Sequence, residues 1–97
     1  MSKRRVVVTG IGMVSPLGNN VEQSWLAIKS GQSGIASLTA FDVSAYSTRF
    51  GGSIKDFDIA DYMLAKDGRK MDLFIQYGTV AGMEAITDSG LEVTDEN

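Results

Sequence analysis

Apolar and polar positions change their rhythm several times along the chain, and each change predicts an element. Residues 5–14, Arg-Val-Val-Val-Thr-Gly-Ile-Gly-Met-Val, form a β-branched run with no helical period. Such a run predicts a strand that is apolar on both faces, the kind buried between helical layers. Ser15-Pro16-Leu17-Gly18 ends it. Val21, Trp25 and Ile28 then recur at i, i+4 and i+7, predicting a helix over 21–29 whose apolar face, Trp25 included, turns to the core. Asn20 is suited to cap this helix, with Gln23 completing a capping box, and Gly31 is placed to stop it.

Periodicity fades from Ser33 to Ser53, which predicts a long connection anchored by Ile35, Leu38, Phe41, Tyr46 and Phe50, with a short strand within 49–54. Residues 58–65 predict one or two helical turns capped by Asp58, with Ile59, Tyr62 and Met63 turned inward. The longest element runs from Arg69 to Ser89. Met71, Phe74, Ile75, Gly78, Ala81, Gly82, Ala85 and Ile86 follow the i, i+3, i+4 rule there. Gly90 supplies the stop and Leu91 the apolar contact beyond it, a Schellman pattern. Gly78 and Gly82 are expected to admit a neighbouring helix or strand. One convincing strand and two helices do not close a layered α/β domain, so residues 1–97 read as an incomplete domain.

Composition narrows the chemistry. The 97 residues contain no cysteine and no histidine. That excludes a disulfide framework, a thiolate zinc site, a thiol nucleophile and any Ser-His-Asp or Cys-His centre within the chain. A hydrophobic fraction of 43% with 22% charged residues describes an ordinary globular protein rather than a disordered tail. A net charge of −3 argues against non-specific nucleic-acid binding. Lys3-Arg4-Arg5 before Val6-Val7-Val8 has the outline of a secretory signal, but Thr9, Gly10, Gly12, Ser15 and Pro16 break the apolar stretch and no cleavage site follows. No apolar run approaches the roughly 20 residues of a membrane span, and a cytoplasmic location is expected. Apolar burial and ordering entropy nearly cancel for a chain this small, so folding alone is marginal. A compact chain of this mass keeps about 5,400 Å² of surface.

Three motifs carry candidate chemistry. Gly10-x-Gly12 after a strand suggests a dinucleotide-binding turn. The third glycine would fall at Ser15 and Pro16 interrupts the turn, so a strand whose glycines admit a neighbouring backbone is the better account. Asp56, Asp58 and Asp61 lack the ligand count and glycine of a calcium loop and read as a solvated turn with a helix cap. Lys66, Arg69 and Lys70 stand at i, i+3 and i+4 and share one helical face. Placed at a helix N-terminus they oppose the macrodipole. Two readings stand: a solvated surface partly neutralised by Asp67 and Asp72, or a face addressed to an acidic partner.

A resemblance bears on that choice. Arg4 to Gly18, Trp25 and Gly31-Gln32-Ser33-Gly34-Ile35 resemble the opening of a β-ketoacyl-acyl carrier protein synthase. Phe41 to Gly52 and Arg69 to Gly78 are similar to the synthase II branch of that family. The resemblance implies an α/β, thiolase-like fold, with 1–97 as the N-terminal part of the first αβα half, and a homodimer for the whole enzyme. It also implies fatty-acid elongation: an acyl group moves to a cysteine, malonyl-carrier protein is decarboxylated, and the carbanion attacks the thioester. The family's nucleophile, two histidines and lysine fall beyond position 97, so no catalytic residue is assigned here, and no cofactor or metal is expected. Lys66, Arg69, Lys70, Met71 and Asp72 match the family's K-x-x-R-K-M-D pattern, whose cations dock acyl carrier protein. Gly68 stands where a better helix former is usual. A non-catalytic module that holds carrier protein is the alternative; a nucleotide-dependent oxidoreductase is a weaker third.

Overall fold

The longest helix organises the chain. A computed structural model describes residues 3–96 and places α1 at Val21–Lys29, β1 at Ile35–Ser37 and β2 at Phe50–Gly52. A 3-10 turn at Ile59–Asp61, α2 at Ala65–Gly68 and α3 at Leu73–Ser89 follow. Along α3, Gln76, Val80, Glu84 and Asp88 recur at i+4 and therefore form one row. Val80 is buried at 3% exposure. Glu84 Oε1 accepts the Val21 amide at the start of α1 at 2.8 Å. Asp88 Oδ2 accepts the Ile11 amide at 3.0 Å.

Beside that row, residues 10–12 cross α3 backbone to backbone. A methyl group at Gly10 would overlap the Ala85 carbonyl and come within 2.7 Å of the Ser89 nitrogen. At Gly12 it would overlap the Ala81 carbonyl and lie 2.8 Å from the Ala85 nitrogen. The glycines of this segment thus admit a neighbouring backbone, the structural alternative to a dinucleotide turn. The strand expected over 5–14 does not form, however. Among the described residues no strand lies beside it, and Val6, Val7 and Val8 are 86%, 69% and 79% exposed. A run apolar on both faces needs pairing and cover on each side.

Local signals fare better. α1 spans the expected residues, and Asn20 accepts the Gln23 amide at 2.8 Å. The return bond of the capping box goes from the Asn19 amide to Gln23 Oε1 at 3.0 Å, one residue before the usual donor. Gly31, at φ 77°, closes a Schellman stop in which Gln32 N–H reaches the Ala27 carbonyl at 3.0 Å. At the end of α3, Gly90 takes φ 73° and donates to Thr87 O. The longer Schellman bond is replaced by a relay: Leu91 N–H donates to Ser89 Oγ at 3.1 Å, which donates to Ile86 O at 2.7 Å.

The long connection contains more order than expected. β1 pairs antiparallel with β2 in the register Ile35 to Gly52 and Ser37 to Phe50. The short strand within 49–54 is therefore present, and its partner is the stretch 35–37 that looked irregular. Within the intervening loop Arg49 donates to Tyr46 O and Ser44 O, both at 3.0 Å. The Ser44 amide beside Asp42 holds that exposed carboxyl below its usual range. Asp58 caps the 3-10 turn through the Ala60 amide at 2.9 Å. Asn19 Nδ2 ties the turn before α1 to Lys55 O and Asp56 O at 3.0 and 3.2 Å.

The faces of the helices are the main correction. In α1 the buried residues are Ser24 and Ala27, while Trp25 and Ile28 are 57% and 53% exposed. Trp25 is not core; its ring lies under Lys29 Nζ, 5.9 Å from the centroid. Ser24 turns inward because its hydroxyl meets Ser15 Oγ at 2.7 Å and Gly18 O at 3.3 Å. In α3 the expected apolar face is split: Phe74 is 72% exposed and no atom lies within 4 Å of a methyl built on Gly78 or Gly82, while Ala81 and Ala85 are half-buried against residues 10–12. The total exposed surface is 7962 Å², well above the compact expectation. The radius of gyration is 17.3 Å, against about 12.5 Å for a compact chain of this length. We predict that the isolated 1–97 polypeptide binds a hydrophobic dye and melts without a sharp transition. A cooperative transition with equal calorimetric and van't Hoff enthalpies would contradict this.

Candidate functional site

Lys66, Arg69 and Lys70 lie on α2 and the turn that joins it to α3. The long helix expected from Arg69 begins instead at Leu73, so the cations precede it. Lys66 is on α2, Arg69 is its C-cap at φ −64° and ψ −17°, and Lys70 follows in the turn. The expected conflict with the α3 macrodipole is therefore relieved. Asp72 occupies the N-cap position of α3, where negative charge is favourable. Arg69 sits at the C-terminal end of α2, the end that favours a cation. All three cations are exposed.

Backbone bonds set the course of this turn. Arg69 N–H reaches Ala65 O at 2.9 Å, Lys70 N–H reaches Asp67 O at 3.3 Å, and Met71 N–H reaches Gly68 O at 3.0 Å. Helix α2 ends at Gly68 and α3 begins at Leu73, so no helix runs through residues 69–72. Gly68 explains where the turn is seated. It is buried, and a methyl there would stand 2.6 Å from Ile59 Cγ2 and 2.7 Å from Ile59 Cγ1. The residue that looked like a weak helix former is the contact point between α2 and the 3-10 turn.

Two features that bear on the turn were not legible in the pattern. Gln76 Nε2 donates to Gly68 O at 2.9 Å and to Met71 O at 3.2 Å. Those carbonyls flank Arg69 and Lys70 in the chain, so the first turn of α3 grips the cationic segment by its backbone. Phe57 stacks on Tyr62 at 5.6 Å and meets Tyr77 edge-on at 4.9 Å. This ring cluster joins the loop before the 3-10 turn to α3 one residue beyond Gln76. A polar residue at i+4 from Asp72 carries no periodic signal of its own, which is why Gln76 escaped the sequence reading.

With this geometry in view, comparison with known proteins places the chain. Residues 3–97 match the family model described as Beta-ketoacyl synthase, N-terminal domain, and the chain belongs to that family. The domain is of the thiolase-like fold. Its relatives include the protein named 3-oxoacyl-[acyl-carrier-protein] synthase 2 in Vibrio harveyi, 64% identical over all 97 residues. The Vibrio cholerae and Coxiella burnetii proteins of the same name are 63% and 44% identical over the same length. The chain spans 23% of the length of each of these relatives.

The packing of Gly68 yields a prediction whose sign separates two effects. Helix propensity alone makes Gly68→Ala stabilising by about 1 kcal/mol. The overlap with Ile59 makes it destabilising, by about 1–3 kcal/mol. We expect destabilisation, read as a lowered denaturation midpoint of the full-length protein at unchanged m-value. A raised midpoint would show that Ile59 yields freely.

Proposed function

We propose that residues 1–97 form the N-terminal part of the first αβα half of a β-ketoacyl-acyl carrier protein synthase II. The whole protein is then an acyltransferase that elongates fatty acids by decarboxylative condensation of an acyl-enzyme with malonyl-carrier protein, working as a cytoplasmic homodimer without a cofactor. The observation that carries this reading is 64% identity to the Vibrio harveyi synthase 2 without loss of coverage anywhere in the chain. The absence of cysteine and histidine assigns the nucleophile and proton-transfer groups to residues outside this segment. Among the described residues no helix is long and apolar enough to cross a membrane.

Within that enzyme, this segment supplies scaffold and part of the carrier-protein docking surface, through Lys66, Arg69 and Lys70. Support comes from their exposure, their placement on one short turn, and the acyl-carrier-protein specificity in the relatives' names. An acidic partner approaching three exposed cations is steered electrostatically, so charge sets encounter rate and register more than final affinity. The alternative, a free-standing module that binds carrier protein without chemistry, requires 1–97 to fold alone, and an exposed surface of 7962 Å² weighs against it.

Charge reversal tests the docking assignment. In the full-length synthase, Lys66→Glu, Arg69→Glu and Lys70→Glu together should raise the KM for carrier protein by about 10-fold or more at low salt and flatten its salt dependence. The value of kcat should change little. An unchanged KM with unchanged salt dependence would reject these residues as a docking surface.

A further inference from the structure

The chain holds its cationic turn in an unusual way. Arg69 and Lys70 carry long, flexible side chains on a connection between two helices, a place where backbone mobility is ordinarily high. Here the carbonyls on either side of the pair, Gly68 O and Met71 O, converge on a single side-chain amide, Gln76 Nε2. Gln76 is half-buried, and it stands at the head of the row that continues through buried Val80 to Glu84 and Asp88. The grip therefore comes from the longest helix of the segment. Backbone bonds from Arg69 N–H and Met71 N–H close the turn on itself, while Lys70 N–H makes only a long bond, 3.3 Å, to Asp67 O; the Gln76 amide adds the tie from this turn to α3.

We propose that Gln76 is the positioning residue of the docking turn. Its amide presets the backbone at Arg69 and Lys70, so that the acidic partner meets cations already in place and ordering of the turn is not charged against binding. This deepens the docking assignment and rests on it. Gln76 touches neither partner nor substrate in this role; it acts through the backbone of residues 68–71.

The test uses Gln76→Met in a full-length synthase, because methionine keeps the length and helix propensity of glutamine and removes the N–H donors. Steady-state kinetics are read with acyl carrier protein thioester and, separately, with a small-molecule thioester of the same acyl group. The expected result is a rise of about 10-fold in KM for carrier protein, corresponding to reordering one or two backbone residues on binding. Values of kcat, Tm and turnover of the small thioester stay as in the parent, while amide exchange at Arg69–Met71 becomes faster. Placed on the Lys66→Glu, Arg69→Glu, Lys70→Glu background, Gln76→Met should add no further effect, since coupled residues are non-additive. An equal fall in small-thioester turnover, or a lowered Tm, would make Gln76 a general structural residue and overturn the proposal. If charge reversal weakens carrier-protein use and Gln76→Met does not, the positioning role fails while docking stands. If charge reversal itself has no effect, both fall together.

Discussion

One face of α3 holds this segment together, and it does so with backbone groups rather than with a hydrophobic core. Gln76, Val80, Glu84 and Asp88 form a single row in which Gln76 holds the cationic connection, Val80 is buried, Glu84 holds the start of α1 and Asp88 the segment at Ile11. Amide-to-carboxylate bonds of this kind are worth about 1.5–3 kcal/mol when shielded and less when exposed. They are directional, so they fix orientation where scattered apolar contacts would not. Ala81 and Ala85, next to the row, leave room for the backbone of Gly10 and Gly12 to cross. The start of α1, residues 10–12 and the cationic turn are placed relative to that helix, whereas β1 and β2 pair with each other and lie against Pro16.

The apolar surface is deployed in the opposite sense. Val6, Val7 and Val8 are largely exposed, and Trp25, Ile28 and Phe74 are each more exposed than buried. The open glycines Gly78 and Gly82 share that outward stripe of α3. Only Ala27 and Val80 are buried apolar side chains among the described residues. Beside the ring cluster of Phe57, Tyr62 and Tyr77 and the Gly68–Ile59 contact, the internal contacts are largely hydrogen bonds, while many large apolar side chains face outward. The relatives named above are about four times as long as this chain, and outward apolar surfaces of this kind are suited to packing against further polypeptide. The cationic turn is different in character: charged, exposed and held from behind.

How much of this was legible follows from the range of each interaction. Asn20, Asp58, Gly31 and Gly90 announced helix starts and stops, and each acts as expected within a few residues of its own position. The cations at 66, 69 and 70 were found as a group by spacing, and the structure keeps them together on α2 and the turn after it, a shorter helix than the pattern suggested. Gly68, read as a flaw in a helix, is a contact with Ile59 nine residues earlier in the chain. Gln76, which the apolar periodicity passes over, reaches back to carbonyls at 68 and 71. The β1 strand was invisible because Ile35-Ala36-Ser37 has no alternation strong enough to predict pairing with Phe50-Gly51-Gly52.

From its residues alone, then, this chain declares its helix ends, its lack of a catalytic thiol or imidazole, its cationic triplet and its family. Those properties depend on residue identity or on bonds closed within a turn, where few alternatives compete. Tertiary structure decided which helix faces are buried, whether the run at 5–14 pairs, and what holds the cationic turn. Periodicity can identify an apolar face but not the surface that will cover it. In α1 and α3 the inward positions went to Ser24, Ala27 and the row of α3, because close backbone approach and hydrogen bonding were available there and an apolar partner for the other faces was not.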